Sequence, residues 1–299
     1  MMSEKKLLFV LLLFGFYASA QIKGVVKDSL SGEPIPYVNI WVENETIGTT
    51  SEENGSFSLD IKEEKVLVFS ALGYESKKSS SKNELILLKP KVFELKEVVV
   101  SSPKKNKTIK VNSFKKNKIK VFYGAGAEPT IIAKKIEPTD QIIKHPYLKE
   151  INFISLCQLE KAKLVLRFFE IDADGKPGDD YLGENIIIII KKGQNLNKLN
   201  LEKYNIRIPD KGFFIAFEFL TIEENKYTFK NTQELDGKII KKEFVYFEPV
   251  IGTTPTENQN SYQYTKGIWY KRGKFSNVDK LTAYQNKFGE LAIELILTN

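Results

Sequence analysis

Between residues 22 and 100, apolar and polar positions alternate in short runs cut by Gly, Pro, Asn and Ser, and no stretch repeats at helical spacing. A period of two with frequent turn residues predicts an all-β sandwich. Ile22, Gly24, Val26 and Asp28 share one side of a first strand, and Gly32-Glu33-Pro34-Ile35-Pro36 makes a turn whose prolines offer no ladder donors. In the next strand, residues 37–42, Val38, Ile40 and Val42 face the core, while Tyr37, Asn39 and Trp41 face a partly exposed side where Trp41 is a candidate contact residue. Asn54-Gly55 predicts a hairpin joining 48–50 to 56–61, with Phe57, Leu59 and Ile61 inward. Residues 65–71 are apolar enough for a central strand buried on both faces, and 84–88 supply a last one. About seven short strands fit.

From residue 121 onward the strong runs are 151–156, 163–171, 185–190, 212–220, 238–248 and 291–297, rich in β-branched and aromatic residues and separated by Gly, Pro, Asn and Asp. They predict a second antiparallel β-sandwich, jelly-roll-like. Residues 186–190 are five consecutive isoleucines, which as an open edge would invite aggregation, so the pattern places them in an interior strand.

The first twenty residues break the β pattern. Lys5 and Lys6 precede the ten-residue apolar run 7–16, and Ala18-Ser19-Ala20 gives a small-x-small cleavage site before Gln21. This predicts a signal peptide at 1–20 and an exported product, in the periplasm, at the outer membrane or on the cell surface. The run falls short of the roughly 20 residues that span a bilayer, so no transmembrane span is expected. Gln21 after the cleavage site also argues against a lipid anchor, which needs a cysteine there.

Charge divides the remainder. The chain carries +7 formally; subtracting the signal's +1 and the eight unopposed lysines of residues 101–120 leaves −2 elsewhere. Basicity is therefore one segment, whose Lys, Asn and Ser content suits a solvated linker between a domain at 21–100 and one at 121–299. A tether to anionic envelope polymers is the functional alternative to a spacer. Nucleic acid is excluded as a partner by export and by the lack of a basic stripe interleaved with stacking aromatics.

Four blocks in order, Gly24-Val25-Val26-Lys27-Asp28, Gly32 to Val38, Gly48-Thr49-Thr50 with Gly55-x-Phe57, and Phe69 to Tyr74, resemble the carboxypeptidase regulatory-like domain. That resemblance implies a transthyretin-like seven-strand sandwich over residues 21–100. It also implies an accessory module, of the kind found behind metallocarboxypeptidases and at the periplasmic N-terminus of TonB-dependent outer-membrane transporters. Residues 95–100, Leu-Lys-Glu-Val-Val-Val, resemble the segment leading into the plug of such transporters, but the roughly 180 residues after the linker are too few for a barrel. The run Phe168 to Asp172 with Gly175-x-Pro177-Gly178 and 212–218 resembles sandwich domains of exported surface proteins, and this implies no functional residues.

Candidate chemistry is sparse. Asp172, Asp174, Asp179 and Asp180 crowd one turn and could offer calcium hard oxygen ligands, yet Tyr181 occupies the position where an EF-hand needs its bidentate carboxylate. The plainer interpretation is a tight Asp/Gly turn with no cofactor. The only histidine, His145, cannot build a two-histidine zinc site, and without a Gly-x-Ser-x-Gly elbow it is a weak triad member, so no enzyme activity is expected. Paired carboxylates leave no local signature, which keeps a hydrolase in the C-terminal sandwich as an alternative. The lone cysteine, Cys157, lies in an apolar run and reads as structural. Tyr262, Tyr264, Trp269 and Tyr270 mix with cations around Gly267 as candidate ligand-binding residues for a glycan or peptide, against a plain hairpin with one buried aromatic face. The expected function is a noncatalytic envelope or surface binding protein, partnered by an envelope or outer-membrane protein or a surface glycan. An accessory role in TonB-linked nutrient uptake is a further alternative.

Overall fold

The structure is a computed structural model that describes residues 21–91, 107–235, 238–276 and 281–299. The expected signal peptide, the run 95–100 and residues 101–106 lie outside those residues. Among the described residues strands account for 58% and helix for 6%, so the all-β expectation holds.

Seven strands form the first unit: β1 (Gln21–Asp28), β2 (Asn39–Val42), β3 (Gly48–Thr50), β4 (Ser56–Asp60), β5 (Val66–Ser70), β6 (Lys77–Ser80) and β7 (Leu85–Leu88). They lie in two sheets, ordered β4-β1-β7 and β3-β2-β5-β6. Between the sheets Val26, Ile40, Phe57, Leu67, Phe69 and Ile86 form the core, with the Phe57 and Phe69 rings edge to face at 5.6 Å.

Several local details differ from the pattern. The Asn54-Gly55 turn does not close a hairpin, because β3 pairs with β2 and β4 with β1. Its chemistry is as expected, with Gly55 at φ +75° and Asn54 Oδ1 accepting the Ser56 amide at 3.0 Å. A turn signal dictates a reversal, not which strands it joins, and here it carries the chain between sheets. Trp41 is 2% exposed, packed on Gly48, where a Cβ would meet the Trp41 ring at 2.9 Å. Every residue of β2 is buried, so Trp41 offers no contact surface. Conversely Val66 is 43% exposed, and β5 is buried on one face rather than both.

The second unit contains β8 (Thr108–Val111), β9 (Phe122–Ala125), β10 (Thr130–Ile136), helix α1 (Asp140–Lys144), β11 (Tyr147–Ile171), β12 (Pro177–Asp180), β13 (Ile186–Asn200) and β14 (Phe213–Phe219). It continues with β15 (Lys226–Leu235), β16 (Lys238–Thr256), β17 (Ser261–Thr265), β18 (Ile268–Lys271), β19 (Phe288–Leu291) and β20 (Ile293–Thr298). All its pairings are antiparallel.

Its organising element is β11, 25 residues long, which pairs with β20 through its first half, β14 through its second and β13 along both. The two apolar runs at 151–156 and 163–171 are thus one strand. The polar residues between them mark a register shift between Cys157 and Lys161, not a turn. Around this strand Ile151, Phe153, Leu164, Phe217, Leu295 and their neighbours form the main core.

The five isoleucines are not interior. Within the described sheet β13 pairs with β11 alone, and burial alternates so that Ile187 and Ile189 are 45% and 51% exposed. Strict alternation along an all-isoleucine run is invisible to a hydropathy pattern, which sees five equivalent residues.

Part of the Lys-rich segment also belongs to this sheet. In β8, Ile109 and Val111 pair opposite Leu297 and Leu295, and Ser113 donates to Glu294 Oε2 at 2.6 Å. Burial pushes the Glu294 pKa up, but hydrogen bonds from Ser113 and Asn152 and the Lys110 charge outweigh it, so its carboxyl titrates below the usual range. A depressed folded-state value contributes stability above the unfolded pKa of about 4.3 and loses it as pH falls through the folded value. Glu294→Gln should therefore lower the urea midpoint at neutral pH, with the gap to the parent closing under acid; a gap independent of pH would contradict this linkage.

Candidate functional site at the domain junction

The two units meet through side chains that each unit alone would leave stranded. Tyr37 has φ +58°, a costly backbone for a bulky residue, and with Val165, Leu220 and Ile222 it forms a small buried cluster. The Lys163 ammonium lies 5.7 Å from the Tyr37 ring and pairs with Glu53 at 3.0 Å and Glu224 at 2.9 Å. Nearby, Thr50 Oγ1 accepts the Thr221 amide at 3.2 Å, and Glu52 accepts the Glu223 amide at 2.9 Å.

Beneath this layer lies a buried ionic chain. Asn39 Nδ2 donates to Glu218 Oε1, and Arg167 Nη1 donates to Glu218 Oε2 at 3.0 Å. Arg167 also grips Asp180 with Nε at 3.0 Å and Nη2 at 2.6 Å, and sits 4.8 Å from the centre of the Phe169 ring. Arg167 and Glu218 are 8% and 3% exposed. Burial opposes the guanidinium charge, but Asp180 and Glu218 more than offset it, holding the Arg167 pKa above its ordinary value. A planar fork facing two carboxylates is arginine chemistry, and a lysine would satisfy only part of it.

Beside this contact opens a cleft of about 640 Å³, lined from the first unit by Thr46–Thr50 and Ser56–Asp60 and from the second by Glu128, Thr221, Glu223, Lys226 and Phe247 among others. Five successive residues of β4 line it, whereas the face of a strand would present every second residue, so the edge of β4 borders the space. β3 and β4 are both terminal strands of their sheets. The Ser58 hydroxyl is buried at this edge without a protein partner. Burial raises the Glu128 carboxyl above its usual range, against the opposing pull of Lys266.

The four aspartates of the predicted turn are drawn apart. Asp172 Oδ1 accepts the amides of Asp174 and Lys176 at 2.9 and 2.8 Å, a side-chain turn. Asp174 pairs with Lys176, Asp179 with Lys91 of the first unit, and Asp180 with Arg167. Among the described residues no group of three His, Cys, Asp or Glu side chains could hold a metal.

The aromatic candidates divide by face. Tyr262, Tyr264 and Trp269 lie with Phe169 and Phe214 in one cluster, with Trp269 5.3 Å from Phe169 and 5.2 Å from Tyr264. Tyr270 projects the other way, 44% exposed. Cys157 is buried and donates to Leu159 O at 3.4 Å, and burial raises its thiol pKa. His145 caps α1, with Nδ1 3.2 Å from Gln141 O.

No motif marks Arg167 or Glu218, and the strand pattern alone places Asn39 on a partly exposed face. A lone Arg in Leu166-Arg167-Phe168 and a lone Glu in Phe217-Glu218-Phe219 do signal charge inside apolar strands, and pairing them was the available inference.

Residues 22–100 match the family model of the CarboxypepD_reg-like domain. The first unit is such a domain. Its similarity extends to a TonB-dependent receptor P3 of Formosa agariphila, 36% identical over 104 residues, 32% of this chain and 10% of the relative. A TonB-dependent receptor SusC of Bacteroides thetaiotaomicron is 34% identical over 86 residues, 28% of this chain and 8% of the relative. The chain therefore spans about a tenth of the length of the curated relatives it matches. These relationships associate the chain with envelope or transport-related proteins. No helix among the described residues is long and apolar enough to cross a membrane.

The ionic chain makes a sharp demand on the regulatory-like domain and its neighbour. Arg167→Met should cost about 3–5 kcal/mol, because Glu218 and Asp180 are left buried without their cation. Replacing Glu218 with Gln and Asp180 with Asn in the same background should return much of that loss. Denaturant titration of the three proteins checks this; a loss below about 1 kcal/mol for the single variant would mean the chain is solvated in solution.

Proposed function

We propose that this is an exported, noncatalytic accessory protein of the cell envelope whose junction cleft holds an extended segment of an outer-membrane partner belonging to a TonB-linked uptake system. The observation that carries this is the pair of terminal strands, β3 and β4, bordering one cleft between the regulatory-like domain and the second unit. An unpaired strand edge presents backbone donors and acceptors in a row, and an extended peptide satisfies them by adding a strand.

The cleft's polar residues favour binding over catalysis. Glu52 accepts the Glu223 amide and Glu223 pairs with Lys226 at 3.2 Å, so both serve the junction itself. Paired-carboxylate hydrolysis needs two acids held across a scissile bond, and Glu52 and Glu223, two of the cleft's carboxylates, are already engaged in this way. The relatives named as TonB-dependent receptors support the choice of partner system.

A photo-crosslinking residue at Ile47, a cleft-lining position 37% exposed, should yield adducts with a TonB-dependent receptor in intact cells. The same group at Leu30, 82% exposed and outside the cleft, should not. Adducts of equal yield at both sites, or none at Ile47 in cells where the protein is confirmed in the envelope, would overturn the proposal.

A further inference from the structure

The second surface that asks for a partner is the free edge of β13. It pairs with β11 on one side and with no described strand on the other, and its first five residues are all isoleucine. Ile186, Ile188 and Ile190 point to the core, while Ile187 and Ile189 are about half exposed. A flat, apolar, unprotected edge is what soluble β proteins normally guard against.

The residues around the isoleucines indicate what covers them. The sequence is Glu184-Asn185, five isoleucines, Lys191-Lys192. When two copies of this segment run antiparallel with Ile188 opposite Ile188, every isoleucine meets an isoleucine. Ile187 of each copy then faces Ile189 of the other on the exposed side, as a directly opposed cross-strand pair. In the same register Glu184 of each copy lies opposite Lys192 of the other, so the charges flanking the apolar run are complementary under the two-fold axis. A one-residue slip would break both matches. Another protein's strand has no reason to find that symmetry, whereas a second copy carries it by construction.

In the β11–β13 register Ile187 and Ile189 stand opposite Val165 and Lys163, on the face that carries the regulatory-like domain. The buried contacts of that domain fall on Val165, Glu218, Leu220, Thr221 and Ile222 of β11, β14 and the residues after it, and Ile187 and Ile189 beside them remain 45% and 51% exposed. Lys192 pairs with Glu160 at 2.6 Å, but both side chains are more than half exposed, and such a pair exchanges readily for another.

We infer that the protein forms a two-fold dimer by antiparallel pairing of residues 184–192, the start of β13 with the two residues before it, between two copies, joining their sheets edge to edge. None of residues 184–192 lines the cleft beside β4.

Light scattering coupled to size exclusion on the exported chain, followed across dilution, tests this. The parent should show twice the monomer mass at high concentration and dissociate on dilution. Ile189→Lys, at an exposed position that leaves the monomer's core intact, should remain monomeric throughout with an unchanged circular dichroism spectrum. Lys192→Glu should shift dissociation to higher concentration by several-fold, and adding Glu184→Lys should restore the parent behaviour, which nonspecific aggregation would not do. A parent that is monomeric at every concentration overturns the inference, as does a dimer that persists in Ile189→Lys or a charge reversal without rescue.

Discussion

The buried polar contact between the two halves of this protein is organised around one cation. Arg167 stands on the central strand of the second unit with Asp180 on one side and Glu218 on the other, and Glu218 in turn takes a hydrogen bond from Asn39 of the regulatory-like domain. Such a chain contributes little net stability when complete, because desolvation of three charges consumes most of the Coulombic gain. Its effect is on specificity. Another buried placement of the regulatory-like domain takes the Asn39 donor from Glu218 Oε1 and leaves Asn39 Nδ2 without its acceptor, and unmade buried hydrogen bonds cost more than made ones contribute.

This changes what the regulatory-like domain does here. A module on a flexible spacer would present its surfaces independently of its neighbour. The Thr50–Thr221 and Glu52–Glu223 contacts, the Tyr37 cluster and the Lys163–Glu53 pair instead spread the contact over several elements of both units. The edges of β3 and β4 are thereby held against the second unit, and the space between becomes a cleft of fixed lining. Preorganised walls lower the ordering cost that an incoming extended segment would otherwise have to meet. The strained φ of Tyr37 fits the same logic, since the junction cluster holds a backbone that an isolated domain would tend to relax.

How legible this was depended on which physical signal each feature leaves in the chain. The seven strands of the first unit followed from period-two alternation and turn residues, because one face of each is buried and the other is not. The length of β11 did not, since Gln158, Glu160 and Lys161 look like a turn when only polarity is read, and a strand that bends through a register shift keeps its polar residues at the shift. Trp41 and Asn39 looked like an exposed face because the sequence of one unit cannot announce that another unit will cover it. The aspartate turn and the aromatic hairpin drew attention through composition, yet each aspartate has its own local or cross-unit partner and three of the four aromatics pack inward. The residues that define the junction are single charges in apolar strands, a weak local signal whose meaning is entirely nonlocal.

Unpaired edges remain the feature that local stability does not explain. At β6 the edge carries Lys77 and Lys78, and Lys77 donates to the Leu87 carbonyl of the neighbouring sheet, which discourages any added strand. β13 has the opposite construction: residues 191–200 are mostly Lys, Asn, Gln and Gly with two leucines, but its first five positions carry no charge, proline or bulge. Protection by lysine at one edge and its absence at another, within one chain, argues that the second edge is kept for pairing. Conformational economy alone would favour a single polar replacement at Ile187 or Ile189, since neither contributes much to the core. That the two exposed positions remain isoleucine, bracketed by charges of opposite sign, is a pattern that makes physical sense when the edge is covered.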